Sequence, residues 1–140
     1  MFVGRVLYLD AAARSSGVQG QIAISKQVVN VPQSLGYVVV LVTCGSRSEA
    51  RKIARAVVDR RLAACVNVLE TRVESFYRWK GKIERGREFL LVIKTSRRHL
   101  RKLQAEVERL HSYELPEFIA LPIIAGSPSY LGWLGESLDD

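Results

Sequence analysis

The chain of 140 residues is poor in the residues that build covalent frameworks and metal sites, with two cysteines and two histidines. Cys44 and Cys65 are too few for a disulfide scaffold, and their spacing fits neither a zinc ribbon nor a CxxC redox pair. Beside them stand only His99 and His111, and no third His or Cys lies at chelating spacing, so a closed four-ligand zinc site would need carboxylates or ligands from another subunit. No apolar run approaches the roughly 20 residues that span a bilayer, and the N-terminus lacks the charged, apolar and small-residue series of a secretory leader. The expectation is a soluble cytoplasmic protein with reduced thiols and no membrane partner. There is no glycine-rich phosphate loop and no Ser, His, Asp arrangement, so catalysis is not expected.

What is present is ordinary globular material, 48% apolar and 25% charged, enough for one domain with a core. The formal charge of +7 raises the question of a nucleic-acid partner. The basic residues are nevertheless interleaved with Glu49, Asp59, Glu84, Glu88, Glu106 and Glu108, which is the pattern of a solvated face rather than a phosphate track. No nucleic-acid partner is expected.

The chain is organised around Arg61 to Thr95. Arg61–Gly81 reads as one long strand entering a hairpin turn, and Lys82–Thr95 as the long return strand. About fourteen residues at about 3.3 Å each reach some 45 Å, against a radius of gyration near 13 Å for a domain of about 100 residues. Such a ribbon projects beyond its own domain, and neighbouring copies must cover it.

Around it, residues 1–36 form an appendage without a motif: a short added strand, a flexible tail, or translated sequence upstream of the true start. Residues 37–140 form the domain. Tyr37–Thr43 is a continuous β-branched run, read as a strand buried on both faces. Ser46 and Glu49 fit a capping box before a helix over about Arg47–Arg61. Thr95 or Ser96 caps a second helix ending near His111, with Leu100, Leu103, Val107 and Leu110 on one stripe. Glu117–Ile124 is a short strand whose Pro122 requires an edge or a bulge. Tyr130, Leu131, Trp133 and Leu134 suit a final short helical turn. The order β, α, β, β, α, β predicts an α+β fold, the ferredoxin-like split βαβ sandwich, with spatial strand order 4-1-3-2 and a long hairpin between its second and third strands. That order sets Cys44 and Cys65 too far apart for a disulfide.

Several separated stretches resemble the CutA family, the divalent-cation-tolerance proteins: Thr43, Leu62 to Asn67, Ser75 to Gly81, Glu88, Lys94 and Thr95, His111 to Glu117, and Tyr130 with Trp133. The resemblance covers roughly Tyr37 to Ser137. It implies a ferredoxin-like homotrimer in which each ribbon packs on the next copy, an association with copper and other divalent metals, a general likeness to the PII signalling trimers, and no established reaction. Two positions depart from the family pattern. Ser112 stands where a proline is usual, and Lys80 replaces an acidic residue in the hairpin turn.

The candidate metal ligands are His111, Cys65, Glu114 and Glu117. Imidazole and thiolate suit copper or zinc, and the remaining donors must be carboxylates or come from another subunit. The competing reading makes Cys65 a small buried hydrophobe and His111 a helix C-terminal cap. Tyr77 and Trp79 share one ribbon face, and with Lys94, Tyr113 and Trp133 they are the candidate residues of an inter-subunit cleft. The alternative for these is a trimer core with Lys94 and Glu117 as an ion pair. A metal would not be required for folding. The expected function is divalent-cation tolerance by binding in a homotrimer, with a PII-like ligand-sensing or scaffold trimer as the alternative. A phosphate-binding helix N-terminus at Gly45–Arg51 and an RNA-recognition module are weaker readings, the latter because EFLLVIKT lacks stacking aromatics.

Overall fold

The computed structural model describes residues 28–31 and 36–139. In chain order the elements are β1 (Val29–Asn30), β2 (Tyr37–Cys44), α1 (Arg47–Asp59), β3 (Cys65–Val68), β4 (Val73–Trp79), β5 (Lys82–Ser96), α2 (Leu100–Leu110), β6 (Ile119–Pro122), β7 (Ala125–Gly126) and α3 (Pro128–Leu138). The main sheet runs β3-β5-β2-β6, all antiparallel, with β4 continuing along β5 beyond β3. This is the expected ferredoxin-like sandwich and strand order.

Both long helices lie on one face of the sheet. Val38, Val40, Val42 and Cys44 alternate inward from β2, meet Phe89, Leu91 and Ile93 of β5, and close on Ala50, Ile53 and Val57 of α1 and Leu103 and Val107 of α2. The expectation that β2 is buried on both faces needs correcting. Val39, Leu41 and Thr43, pointing the other way, are only half-buried, because no helix covers most of that face. Leu90 and Val92 of β5 are also half-buried, and Ile119 and Leu121 on the β6 edge are each 47% exposed. Pro122 sits on this edge strand, paired to Val38, where its missing amide hydrogen costs no ladder bond.

The first helix ends one turn earlier than its apolar stripe suggests. Arg61 adopts φ 54°, Leu62 N donates to Val57 O at 2.9 Å and Arg61 N to Val58 O at 3.0 Å. This is a Schellman cap with arginine in the left-handed position usually given to glycine, and Leu62 folds back onto Val57 in the core. At the other end Ser46 Oγ accepts from Glu49 N at 3.2 Å. The second half of the capping box is absent because the Glu49 carboxylate is engaged elsewhere. The second helix begins after a 3-10 turn, Arg97–His99, and neither expected cap is used: Thr95 Oγ1 donates to Leu62 O, and Ser96 Oγ bonds His99 Nδ1.

The ribbon departs from a single long strand at Leu69–Arg72. Val68 pairs with Leu91 and Val73 with Glu88, so four residues of one strand oppose two of the other. This bulge bends the ribbon away from the sheet and lays the Arg72 guanidinium over the Phe89 ring at 5.2 Å. Beyond it β4 and the Lys82–Glu88 half of β5 pair only with each other, so about 20 Å of ribbon projects. Its tip is a two-residue turn with Lys80 at φ 48° and Gly81 at φ 82°, as a hairpin of right-handed twist requires.

The C-terminal segment is a full helix rather than a short turn. Its Leu131, Leu134 and Leu138 bury against Tyr37 and Ala64, closing one end of the otherwise open sheet face. Asp139 holds it through Arg98 and Arg61. Of the appendage, Val29–Asn30 pairs with Ala125–Gly126 as a short added strand. Residues 1–27 and 32–35 lie outside the described residues. Cys44 and Cys65 are free thiols on strands either side of β5, opposite Phe89 and Lys94, far beyond bonding distance.

Candidate ligand crevice

At the root of the ribbon lies a crevice of about 800 Å3. One face of β4 contributes Ser75, Tyr77 and Trp79, β5 contributes Glu88, the end of β2 contributes Thr43, and the 112–117 segment supplies Tyr113, Glu114 and Glu117. The alternation of β4 explains the first group, since residues two apart share a face. The 112–117 segment has no regular structure of its own, and His111 holds it in place. The imidazole is fully buried. Its Nε2 donates to Thr43 O at 2.7 Å and its Nδ1 accepts from Tyr113 N at 3.1 Å, which fixes the tautomer. Ser112 donates from both N and Oγ to the Glu49 carboxylate, at 2.5 and 2.9 Å. Proline at this position has no donor. The rigidity that proline would give is replaced here by two bonds to a charged acceptor.

Tyr113 then reaches across. Burial, together with the nearby Glu88 carboxylate, pushes its phenol up to about 12. Gly45 makes room for it, since a Cβ there would stand 2.9 Å from Tyr113 Oη. Glu88 is 7% exposed, and no basic side chain forms an ion pair with it among the described residues. Burial and the Glu88 charge raise the Glu117 carboxyl above the usual carboxylate range. The one cation in the lining, Arg78, turns its guanidinium to Gly81 O at 3.3 Å. The crevice is therefore an acidic pocket lined by four aromatics, Phe76, Tyr77, Trp79 and Tyr113.

Of the expected site residues, the structure gathers Tyr77, Trp79, Tyr113, Glu114 and Glu117 here. It does not gather the rest. His111 lies behind the crevice with both ring nitrogens in hydrogen bonds, so within one copy it offers no lone pair to an ion. Cys65, Lys94 and Trp133 stand at the opposite end of the sheet. Cys65 pairs with Lys94, whose Nζ donates to Asn67 Oδ1 and, at 3.4 Å, to Val92 O. Trp133 packs on Tyr130 with ring centroids 5.4 Å apart, and burial, with Cys65 second, raises the Tyr130 phenol. Lys94 and Glu117 do not pair within the chain, and among the described residues no group of three or more His, Cys, Asp or Glu is placed to hold a metal. Sequence reasoning missed Glu88, Thr43 and Ser75 as crevice residues. The signal for Glu88 was a carboxylate next to an otherwise apolar strand run.

A split βαβ sandwich carrying a projecting ribbon, with an acidic aromatic crevice at the ribbon's root, defines the class: a ferredoxin-like α+β fold with a long hairpin. Residues 38–137 match the family described as CutA1 divalent ion tolerance protein, and the chain belongs to that family. It is 46% identical over 99 residues to a divalent-cation tolerance protein CutA of Thermus thermophilus, covering 71% of this chain and 95% of that one. It is 45% identical over 100 residues to a chloroplastic protein CutA of Arabidopsis thaliana, of whose length it spans 54%. The solved structure of the Thermus thermophilus divalent cation tolerance protein superposes with a TM-score of 0.71 at 45% identity, over 74% of this chain and 99% of that one.

Proposed function

We propose that the chain acts as a homotrimer that contributes to divalent-cation tolerance by binding rather than turnover, in crevices completed between copies. The observation that carries this reading is the uncovered half of the molecule. One sheet face presents Val39, Leu41, Leu90, Val92, Ile119 and Leu121, and the ribbon adds Phe76 and Ile83, exposed by 68% and 64%. Contiguous apolar surface of this kind marks an association site, and a heterologous interface that closes on itself buries every copy equally.

A divalent ion fits the crevice in part. Glu88, Glu114 and Glu117 supply hard oxygen donors, the set that suits small divalent cations. They do not close a site alone, and a softer ion such as copper draws on Cys65, which only another copy can bring. The two free thiols support a reducing compartment such as the cytoplasm. Calorimetric titration of the assembled protein with copper, zinc and manganese tests the reading. Saturable binding that weakens in Glu117→Gln is expected, and no saturable heat with any of the three would overturn it.

A second reading has one observation in its favour. About 800 Å3 is far more than a single ion fills and lies in the range of small-molecule pockets with aromatic walls. A PII-like trimer holding an organic ligand there would show a thermal shift with that ligand and none with metals.

A further inference from the structure

Three charged side chains are buried in the described chain: Glu88, Lys94 and Glu106. Glu106 is matched by Arg60 at 2.6 Å and Arg109 at 2.7 Å. Glu88 has no basic side chain paired with it among the described residues, and Lys94, 9% exposed, has only an amide and a carbonyl oxygen. A buried ammonium without a carboxylate is costly, and so is a buried carboxylate without a cation. The two deficits have opposite sign. They also lie at opposite ends of the same uncovered sheet face, since Lys94 pairs with Val39 on β2 while Thr43, four residues along that strand, lines the crevice.

We propose that Lys94 of one copy enters the acidic crevice of the next and pairs there with Glu117, with Glu88 behind it. This rests on the assembly proposed above and deepens it by naming the groups that fix its register. A head-to-tail ring gives every copy one donor end and one acceptor end, so every interface gives Lys94 a carboxylate partner and brings a cation close to Glu88. The same docking carries Cys65, directly opposite Lys94, to the rim of a neighbour's carboxylates. Hydrophobic burial drives the association, and the charge pair selects which ends meet.

Sedimentation equilibrium on the full chain tests it with three variants, Lys94→Glu, Glu117→Lys and the double reversal. Each single reversal sets like charges together at every interface and should raise the concentration for half-dissociation by about tenfold or more. The double reversal should return it to within about threefold of wild type. Inside one copy the two positions are more than about 10 Å apart, so intrachain coupling is too weak to mimic this recovery. Should the reversed chains fold poorly, Lys94→Met with Glu117→Gln serves instead, and the pair should cost less than either single change. Additive effects in either cycle, or an unaltered dissociation in Lys94→Met, would overturn the pairing. A wild-type protein that is already monomeric would overturn the assembly itself, a separate result.

Discussion

His111→Ala separates a structural clasp from a metal ligand. The imidazole spans the end of β2 and the 112–117 segment through bonds of 2.7 Å to Thr43 O and 3.1 Å from Tyr113 N, and it is fully buried. Losing two such bonds costs about 1 kcal/mol each, and the stranded carbonyl and amide together with the vacated volume bring the total to about 2–4 kcal/mol. For a domain of this size that is a fall in Tm of about 10 °C. The assay is thermal unfolding at one fixed protein concentration, because the stability of an oligomer depends on concentration. His111→Gln keeps a donor and an acceptor and should recover part of the loss. If His111→Ala instead unfolds within about 0.5 kcal/mol of wild type while metal binding disappears, the imidazole is a ligand and the clasp is wrong.

Four further outcomes follow from particular contacts. Ser112→Pro removes both bonds to Glu49 and should destabilise by about 1.5–3 kcal/mol in urea unfolding, since the acceptor is charged. Lys80→Asn relieves a left-handed lysine in the hairpin turn and should stabilise by about 0.5–1 kcal/mol. The two arginines lower the Glu106 carboxyl to about 2, so its contribution is complete above pH 4.5 and fades as the pH falls toward 2. Because those guanidiniums are more than half exposed it amounts to about 1–2 kcal/mol, and Glu106→Gln should flatten the acid limb of a stability–pH curve over that window. Burial pushes the Cys44 thiol up to about 12, so native protein should leave it unmodified by a thiol reagent at pH 8, with Cys65 reacting only as dilution dissociates the copies.

The strand order, the capping serine at 46 and the edge position of Pro122 were legible because each follows from a local pattern: β-branched runs, a capping residue before an amphipathic stripe, and a missing amide hydrogen. The bulge at Leu69–Arg72 was not. It contains no glycine, and it is set by how Val73 and Glu88 meet across the ribbon, which local sequence does not encode. Arg61 in a left-handed cap likewise hides, since glycine is the usual marker there. The crevice was legible in its aromatics and in Tyr113, Glu114 and Glu117, whose spacing places them at strand ends. His111 and Cys65 were grouped by their chemistry alone, and the fold sets one behind the crevice and the other across the sheet. Glu49 looked like a helix cap and is instead drawn to Ser112, a contact between residues 63 positions apart.

The central claim is that a sheet face and a ribbon left bare by their own chain are covered by two further copies. Native mass measurement at low micromolar concentration tests it most directly. The account predicts a single species of three times 15.7 kDa, and a stable, soluble species of 15.7 kDa would contradict it.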